Sequence, residues 1–227
     1  MKKLLPGLAI LSGCSSPAAH DAHGPHASHG DHAFHHRFEN PSEWAKTFDA
    51  ADRDAWQRPA ELTLLLELSP GMVVADIGAG TGYFLPYLSP AVGDSGKVLA
   101  LDVEAEMVDY MKARATKEGL KNIEARAVDP SDPALAPGTV DRVVLIDTWH
   151  HIEQRVEYTR RLAAGLKPGG SVYIVDFTLE ASHGPPAQHR LSPAQVMEEL
   201  TAGGLVAEVM TETLPDQYVV RGKKVSP

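Results

Sequence analysis

A carboxylate followed by three glycines on alternate positions, Asp76-Ile-Gly78-Ala-Gly80-Thr-Gly82-Tyr-Phe84, constrains this chain more than any other stretch. An apolar run over 72–75 precedes it, and a segment able to start a helix follows. Such a run reads as a buried strand that ends at the acid. Glycine is required where a backbone takes positive φ or comes close to a ligand. A helix opening near Thr81 would present unpaired N–H groups and a positive dipole end to that ligand. The spacing Asp-x-Gly-x-Gly-x-Gly differs from the dinucleotide pattern Gly-x-Gly-x-x-Gly, which argues against a nicotinamide-dependent enzyme.

The same grammar repeats downstream. Lys97-Val-Leu-Ala-Leu-Asp102 is a second strand ending in a carboxylate, twenty residues past Gly82. In a doubly wound sheet an acid there lies beside the glycine loop and can accept ribose hydroxyls. Residues 104–117 have helical spacing, with Met107, Val108 and Met111 on one side. A third strand over 122–128 stops at Asp129, and a fourth over 140–146 stops at Asp147-Thr-Trp-His150-His151. A helix over 156–166, a stop at Lys167-Pro-Gly-Gly170 and a strand over 171–177 follow. The chain closes with a helix over 193–202 and strands over 204–213 and 216–220. Alternation of this kind predicts an α/β fold with helices on both faces of the sheet.

These motifs together resemble the class I S-adenosylmethionine (SAM) methyltransferases over roughly residues 59–221. The resemblance implies a Rossmann-like, doubly wound, seven-stranded sheet, mostly parallel with an antiparallel last strand. It also implies a set of roles. Gly78, Gly80, Thr81 and Gly82 would form the loop beside the methionine part of SAM, oriented by Asp76. Asp102 would hold the ribose, and Val103 would lie beside the adenine. Asp129 would meet the adenine amino group or simply form a turn with Pro130-Ser-Asp-Pro133. Asp147 would face the reacting end. His150 and His151 are candidates for a general base; either could instead hydrogen-bond the backbone. Thr148 and Trp149 would line the pocket or pack in the core. In this superfamily an N-terminal extension commonly covers the cofactor cleft, which makes Trp44, Trp56 and Gln57 candidates for a lid or for a flanking helix.

Composition narrows the acceptor. The chain has 227 residues, 43% hydrophobic and 22% charged, which suits one globular domain with short extensions. A formal charge of −9 and scattered Lys and Arg argue against nucleic acid, whose phosphates need a basic face. Arsenite methylation is disfavoured because it uses cysteine thiolates and the only cysteine is Cys14. No Asn-Pro-Pro-Tyr signature follows the fourth strand. The closest general resemblance is to small-molecule methyltransferases related to quinone biosynthesis enzymes, which implies a small-molecule or lipid-associated acceptor. The competing expectation is a non-catalytic metabolite- or metal-binding module on the same fold.

The N-terminus has another character. Met1-Lys2-Lys3, an apolar stretch over 4–11 and Leu11-Ser-Gly-Cys14 resemble a bacterial lipoprotein signal, with lipid on Cys14. The expected organisation is a signal peptide over 1–13, a tether over 14–37, a helical extension or lid over 38–58 and the methyltransferase domain over 59–227. The expected location is the outer side of the cytoplasmic membrane, in the periplasm or at the outer membrane of a Gram-negative cell, and the cytoplasm if the signal is unused. His20, His23, His26, His29, His32 and His35 recur every third residue in the tether, and His36 follows. Period 3 matches polyproline II, so the rings could line one edge and take a transition metal. A solvated tether is the other reading.

Overall fold

The computed structural model describes Phe38 and residues 40–225. The signal, Cys14 and the histidine tract lie outside those residues. Seven strands form one sheet: β1 (Val73–Ile77), β2 (Lys97–Asp102), β3 (Ile123–Ala127), β4 (Val140–Ile146), β5 (Leu166–Phe177), β6 (Val206–Val209) and β7 (Gln217–Lys223). Their order is β3-β2-β1-β4-β5-β7-β6. Strands β1 to β5 pair in parallel, and β7 runs antiparallel to both β5 and β6. The expected fold class is therefore observed.

The side-chain alternation of the strands explains the layers. Ala75, Ile77, Leu99, Leu101, Val143, Leu145, Val172 and Ile174 point to one face. Val74, Val98, Ala100, Val144, Ile146, Tyr173 and Val175 point to the other. Both sets are buried, as period 2 requires of a sheet covered on both sides. Helices α6 (Arg155–Gly165) and α7 (Pro193–Ala202) cover the first face through Tyr158, Leu162, Val196 and Leu200. Helices α3 (Pro59–Leu65), α4 (Leu85–Val92) and α5 (Ala105–Glu118) cover the second through Leu62, Leu85, Leu88, Val108 and Met111. A capping box of Ser192 and Gln195 starts α7. Two short helices, α1 (Pro41–Phe48) and α2 (Arg53–Gln57), precede α3.

Several boundaries differ from the sequence expectation, among them that of β7, which runs to Lys223 and not to 220. Residues 167–170, expected as a helix stop, already belong to β5, because Leu166 pairs with Val140 and Lys167 Nζ reaches Asp141 Oδ2 at 2.7 Å. Strand β6 is shorter than 204–213, since its pairing with β7 ends at Val209 opposite Val220. Helix α4 begins at Leu85 rather than near Thr81. The glycine segment between β1 and α4 is a chain of tight turns, with Gly82 N bonded to Ala79 O at 2.8 Å and Leu85 N to Gly82 O at 3.0 Å.

Candidate functional site

The carboxyl ends of β1, β2, β4 and β5 converge on one edge of the sheet, where ligands of open α/β folds bind. Gly78, Gly80 and Gly82 all take positive φ. At Gly78 the requirement is also steric, because a Cβ would lie 2.4 Å from Thr148 Oγ1. The loop after β1 is thus pressed against the segment after β4. It is also fastened to β2: Gly80 N donates to Asp102 Oδ2 at 2.8 Å, and Glu104 N donates to Oδ1 at 3.0 Å. Asp102 ends β2 as the sequence predicted, nearly buried, and Val103 beside it is half-exposed. Thr81 is buried, its hydroxyl bonded to Asp49 Oδ1 at 3.1 Å.

Two further carboxylates sit behind this loop. Asp76 is buried within β1, and its carboxyl is pushed up to about 7 by burial and then by the charge of Asp102, with Arg53 opposing. Asp147 follows β4 with φ 55°. Burial raises it to about 7 as well, with Arg53 opposing. Gln217 Nε2 donates to Asp147 Oδ1, and Gln57 Nε2 donates to Gln217 Oε1 at 2.6 Å. Asp129, by contrast, is exposed and accepts from Ser131 N at 2.8 Å and Ser131 Oγ at 2.6 Å, the geometry of a turn.

The two histidines after β4 diverge. His150 is buried, with Nδ1 2.9 Å from Asp176 Oδ1 and its backbone N donating to Asp176 Oδ2 at 3.2 Å. Burial opposes its charged form, yet the Asp176 carboxylate holds its pKa above the ordinary histidine value. The ring of His151 lies 4.2 Å from that of His150 and 5.8 Å from Phe38. Trp149 is fully buried and donates from Nε1 to Glu199 Oε2 at 2.8 Å, so it belongs to the core and not to a pocket.

Helices α1 and α2 lie along this edge. Phe38, Trp44 and Phe48 form an aromatic cluster, and the Phe48 ring would meet a Cβ on Gly80 at 3.5 Å. Asp49 Oδ1 also accepts from Arg114 Nη1 of α5 at 2.8 Å. Arg53 donates to Phe48 O at 2.6 Å and to Gln57 Oε1 at 2.9 Å, and its guanidinium stands 4.1 Å from the Tyr83 ring centre. Asp49, Arg53 and Asp176 escaped the sequence reading. Only Asp176 carried a usable signal, an acid at the end of an apolar strand.

A methyltransferase-domain model matches residues 74–170. A SAM-dependent methyltransferase from Aquifex aeolicus shares 32% identity and superposes with a TM-score of 0.75, covering 82% of this chain and 99% of that one. The chain belongs to the class I SAM-dependent methyltransferases. Among curated methyltransferases, the ubiquinone/menaquinone biosynthesis C-methyltransferase UbiE of Coxiella burnetii is 28% identical over 112 residues. That match covers 49% of this chain and 45% of that protein. The demethylmenaquinone methyltransferase of Lactococcus lactis is 30% identical over 106 residues, 47% and 42% of the two chains. The chain thus spans under half the length of these curated relatives. The residues fit the family's cofactor: three positive-φ glycines form a loop at the sheet edge that the close approach of Thr148 and the bond to Asp102 fix in place. Among the described residues no group of three or more His, Cys, Asp or Glu could hold a metal, and no helix is long and apolar enough to cross a membrane.

Proposed function

We propose that this methyltransferase moves the methyl group of SAM to a small-molecule or lipid-associated acceptor bound at the ends of β4 and β5. The observation that carries the reading is the bond from Gly80 N to Asp102 Oδ2, which couples the glycine loop to the strand-end acid. When bound, SAM supplies a methyl on a positively charged sulfur, already activated for displacement. The protein then has to position its two reactants, which can lower a barrier by roughly 7–11 kcal/mol. Asp102 accepts from the ribose hydroxyls, Asp76 and the loop of Gly78, Gly80, Thr81 and Gly82 hold the methionine end, and Val103 flanks the adenine. Asp129 meets the adenine amino group through its exposed carboxylate. Asp147 faces the methyl group.

His150, fixed by Asp176, holds a defined tautomer near an acceptor. Helices α1 and α2 act as the lid over both ligands. The names of the curated relatives, which refer to ubiquinone and menaquinone biosynthesis, support an acceptor of small-molecule size. The sequence pattern supports a lipid anchor at Cys14, which radiolabelled palmitate incorporation, abolished in Cys14→Ser, would test. Calorimetric titration of SAM into the full chain tests the activity's first requirement. Saturable micromolar binding that disappears in Asp102→Ala is expected, and no binding by the folded wild type would sink the reading.

A further inference from the structure

A second His–Asp pair lies at this edge, on the loop that follows β5. His183 Nδ1 stands 2.5 Å from Asp216 Oδ2. Ser182 Oγ donates to the same oxygen at 2.8 Å, and Ser182 N donates to Asp216 Oδ1 at 3.1 Å. In the neutral imidazole that donates Nδ1–H to the carboxylate, the remaining ring nitrogen, Nε2, is the acceptor, on the opposite edge of the ring. The His183 side chain is 44% exposed.

The loop that carries His183 is firmly built. Arg190 gathers its carbonyls: Nε donates to Pro185 O at 2.9 Å, Nη1 to Ala181 O at 2.7 Å and to Leu179 O at 3.1 Å, and Nη2 to His183 O at 3.0 Å. Gly184, at φ 91°, lets the backbone rest on Phe177, where a Cβ would come within 2.5 Å of the ring. The Trp56 ring of α2 stacks on His183 at 5.0 Å and 12°, and lies 5.9 Å from Phe177. Trp56 and His183 form a partly exposed stack, backed by the buried Phe177, and another flat ring can extend such a stack.

This wall adjoins the candidate methyl-transfer point. Trp56 precedes Gln57, and Asp216 precedes Gln217; that glutamine pair holds Asp147. Arg53, bonded to Asp147, also faces Trp56 at 5.8 Å. The geometry points to an acceptor site on Trp56 and His183, backed by the buried Phe177, for a planar aromatic ring bearing a hydroxyl group, which donates to His183 Nε2. This assignment rests on the methyltransferase reading for its biological meaning, but its binding chemistry can be measured separately.

The probe is 1-naphthol, titrated calorimetrically into the full chain saturated with S-adenosylhomocysteine. One saturable site is expected, weakened tenfold or more by Trp56→Ala. Against wild type, 1-methoxynaphthalene should bind at least fivefold more weakly than 1-naphthol, because its oxygen has no proton to donate. In His183→Phe, which keeps a ring but loses the acceptor, the two probes should bind equally. If Trp56→Ala does not fold, the His183→Phe comparison decides alone. Absent or non-saturable 1-naphthol binding, unchanged affinity in Trp56→Ala, or persistent discrimination in His183→Phe each overturns the aromatic site. Failure of S-adenosylhomocysteine to bind would instead strike the methyltransferase reading, and the 1-naphthol titrations of the same proteins would still decide the site.

Discussion

Arg53 Nη2 lies 3.4 Å from Asp147 Oδ2, a contact across 94 residues that joins α2 to the end of β4. The pair is mostly buried, with side chains 12% and 20% exposed. Arg53 opposes the rise of both Asp76 and Asp147 and at the same time ties α1 through Phe48 O. Its removal has two opposed effects on a cationic cofactor. One positive charge leaves the cleft, which favours binding, but the segment covering the cleft loses four contacts' worth of restraint at Phe48, Gln57, Tyr83 and Asp147. The carboxylates freed of Arg53 take up protons more readily, which blunts the first effect. Arg53→Leu should therefore bind SAM about tenfold more weakly, a loss of about 1.4 kcal/mol. Calorimetry measures it, and tighter binding would show that α1 and α2 do not serve as a lid.

The raised carboxyl of Asp76 gives a pH dependence with a definite sign. Its folded-state value of about 7 lies above the ordinary 3.8, so between those values the folded chain binds more protons than the unfolded one. Stability of the cofactor-free protein therefore falls as pH rises from about 4 to about 7 on account of this group. Asp147 acts in the same direction. Melting temperatures of wild type should decline across that window, and Asp76→Asn should flatten part of the slope. SAM, a cation, favours the ionised carboxylate, so its binding near pH 7 should release protons. Calorimetry in two buffers of different ionisation enthalpy reads that release directly.

Asp176 and His150 form a buried pair whose partners have no second choice. Removing the charge of Asp176 leaves His150 Nδ1 and two backbone N–H groups, of His150 and Phe177, with an amide in place of a carboxylate. Asp176→Asn should cost about 2–4 kcal/mol in urea unfolding, the range for breaking a buried charged hydrogen-bond pair. The pKa of His150, followed by NMR, should drop at the same time, because Asp176 is the main influence raising it. A His150 titration that does not move would separate the carboxylate from any role in tuning that ring.

What was legible in the sequence is what depends on neighbours in the chain. Strands β1, β2, β4 and β5 were read because burial on both faces makes them largely apolar runs, and Asp102 because a strand, an acid and a fixed distance coincide. Strand β6 was drawn too long because its valines suit a strand anywhere, whereas its length is set by where β7 stops pairing. The pair Arg53–Asp147 had no sequence signal, and neither did His183–Asp216, 33 residues apart. The neighbouring of β5 and β7 in the sheet brings His183 and Asp216 together, and the packing of α2 at the carboxyl edge brings Arg53 to Asp147. The histidines after β4 were found, but only the structure distinguishes them: Asp176 claims His150, while His151 turns towards Phe38.

The contact between Gly78 and Thr148 permits a test that separates backbone strain from side-chain collision. Gly78→Ala places a Cβ 2.4 Å from Thr148 Oγ1 and 2.5 Å from Cγ2, and also forces alanine to φ 73°. The conformational part costs roughly 1–2 kcal/mol for an L-residue in the left-handed region. The collision adds to it, since neither atom is the far end of a long flexible side chain. Thr148→Ala alone removes a hydroxyl bonded to Ile146 O at 2.8 Å and should cost only about 1 kcal/mol. In the double variant both colliding atoms are gone, although the Thr148 Cβ position still lies 3.0 Å from the new methyl. The pair should therefore be less destabilised than the sum of its parts, by about 1–2 kcal/mol of coupling. SAM affinity should not recover with stability, because the φ strain still displaces the loop that leads to Gly80 N. Urea unfolding and SAM titration of the four proteins measure the two quantities independently, and strict additivity of the stabilities would show that the loop after β1 does not bear on Thr148.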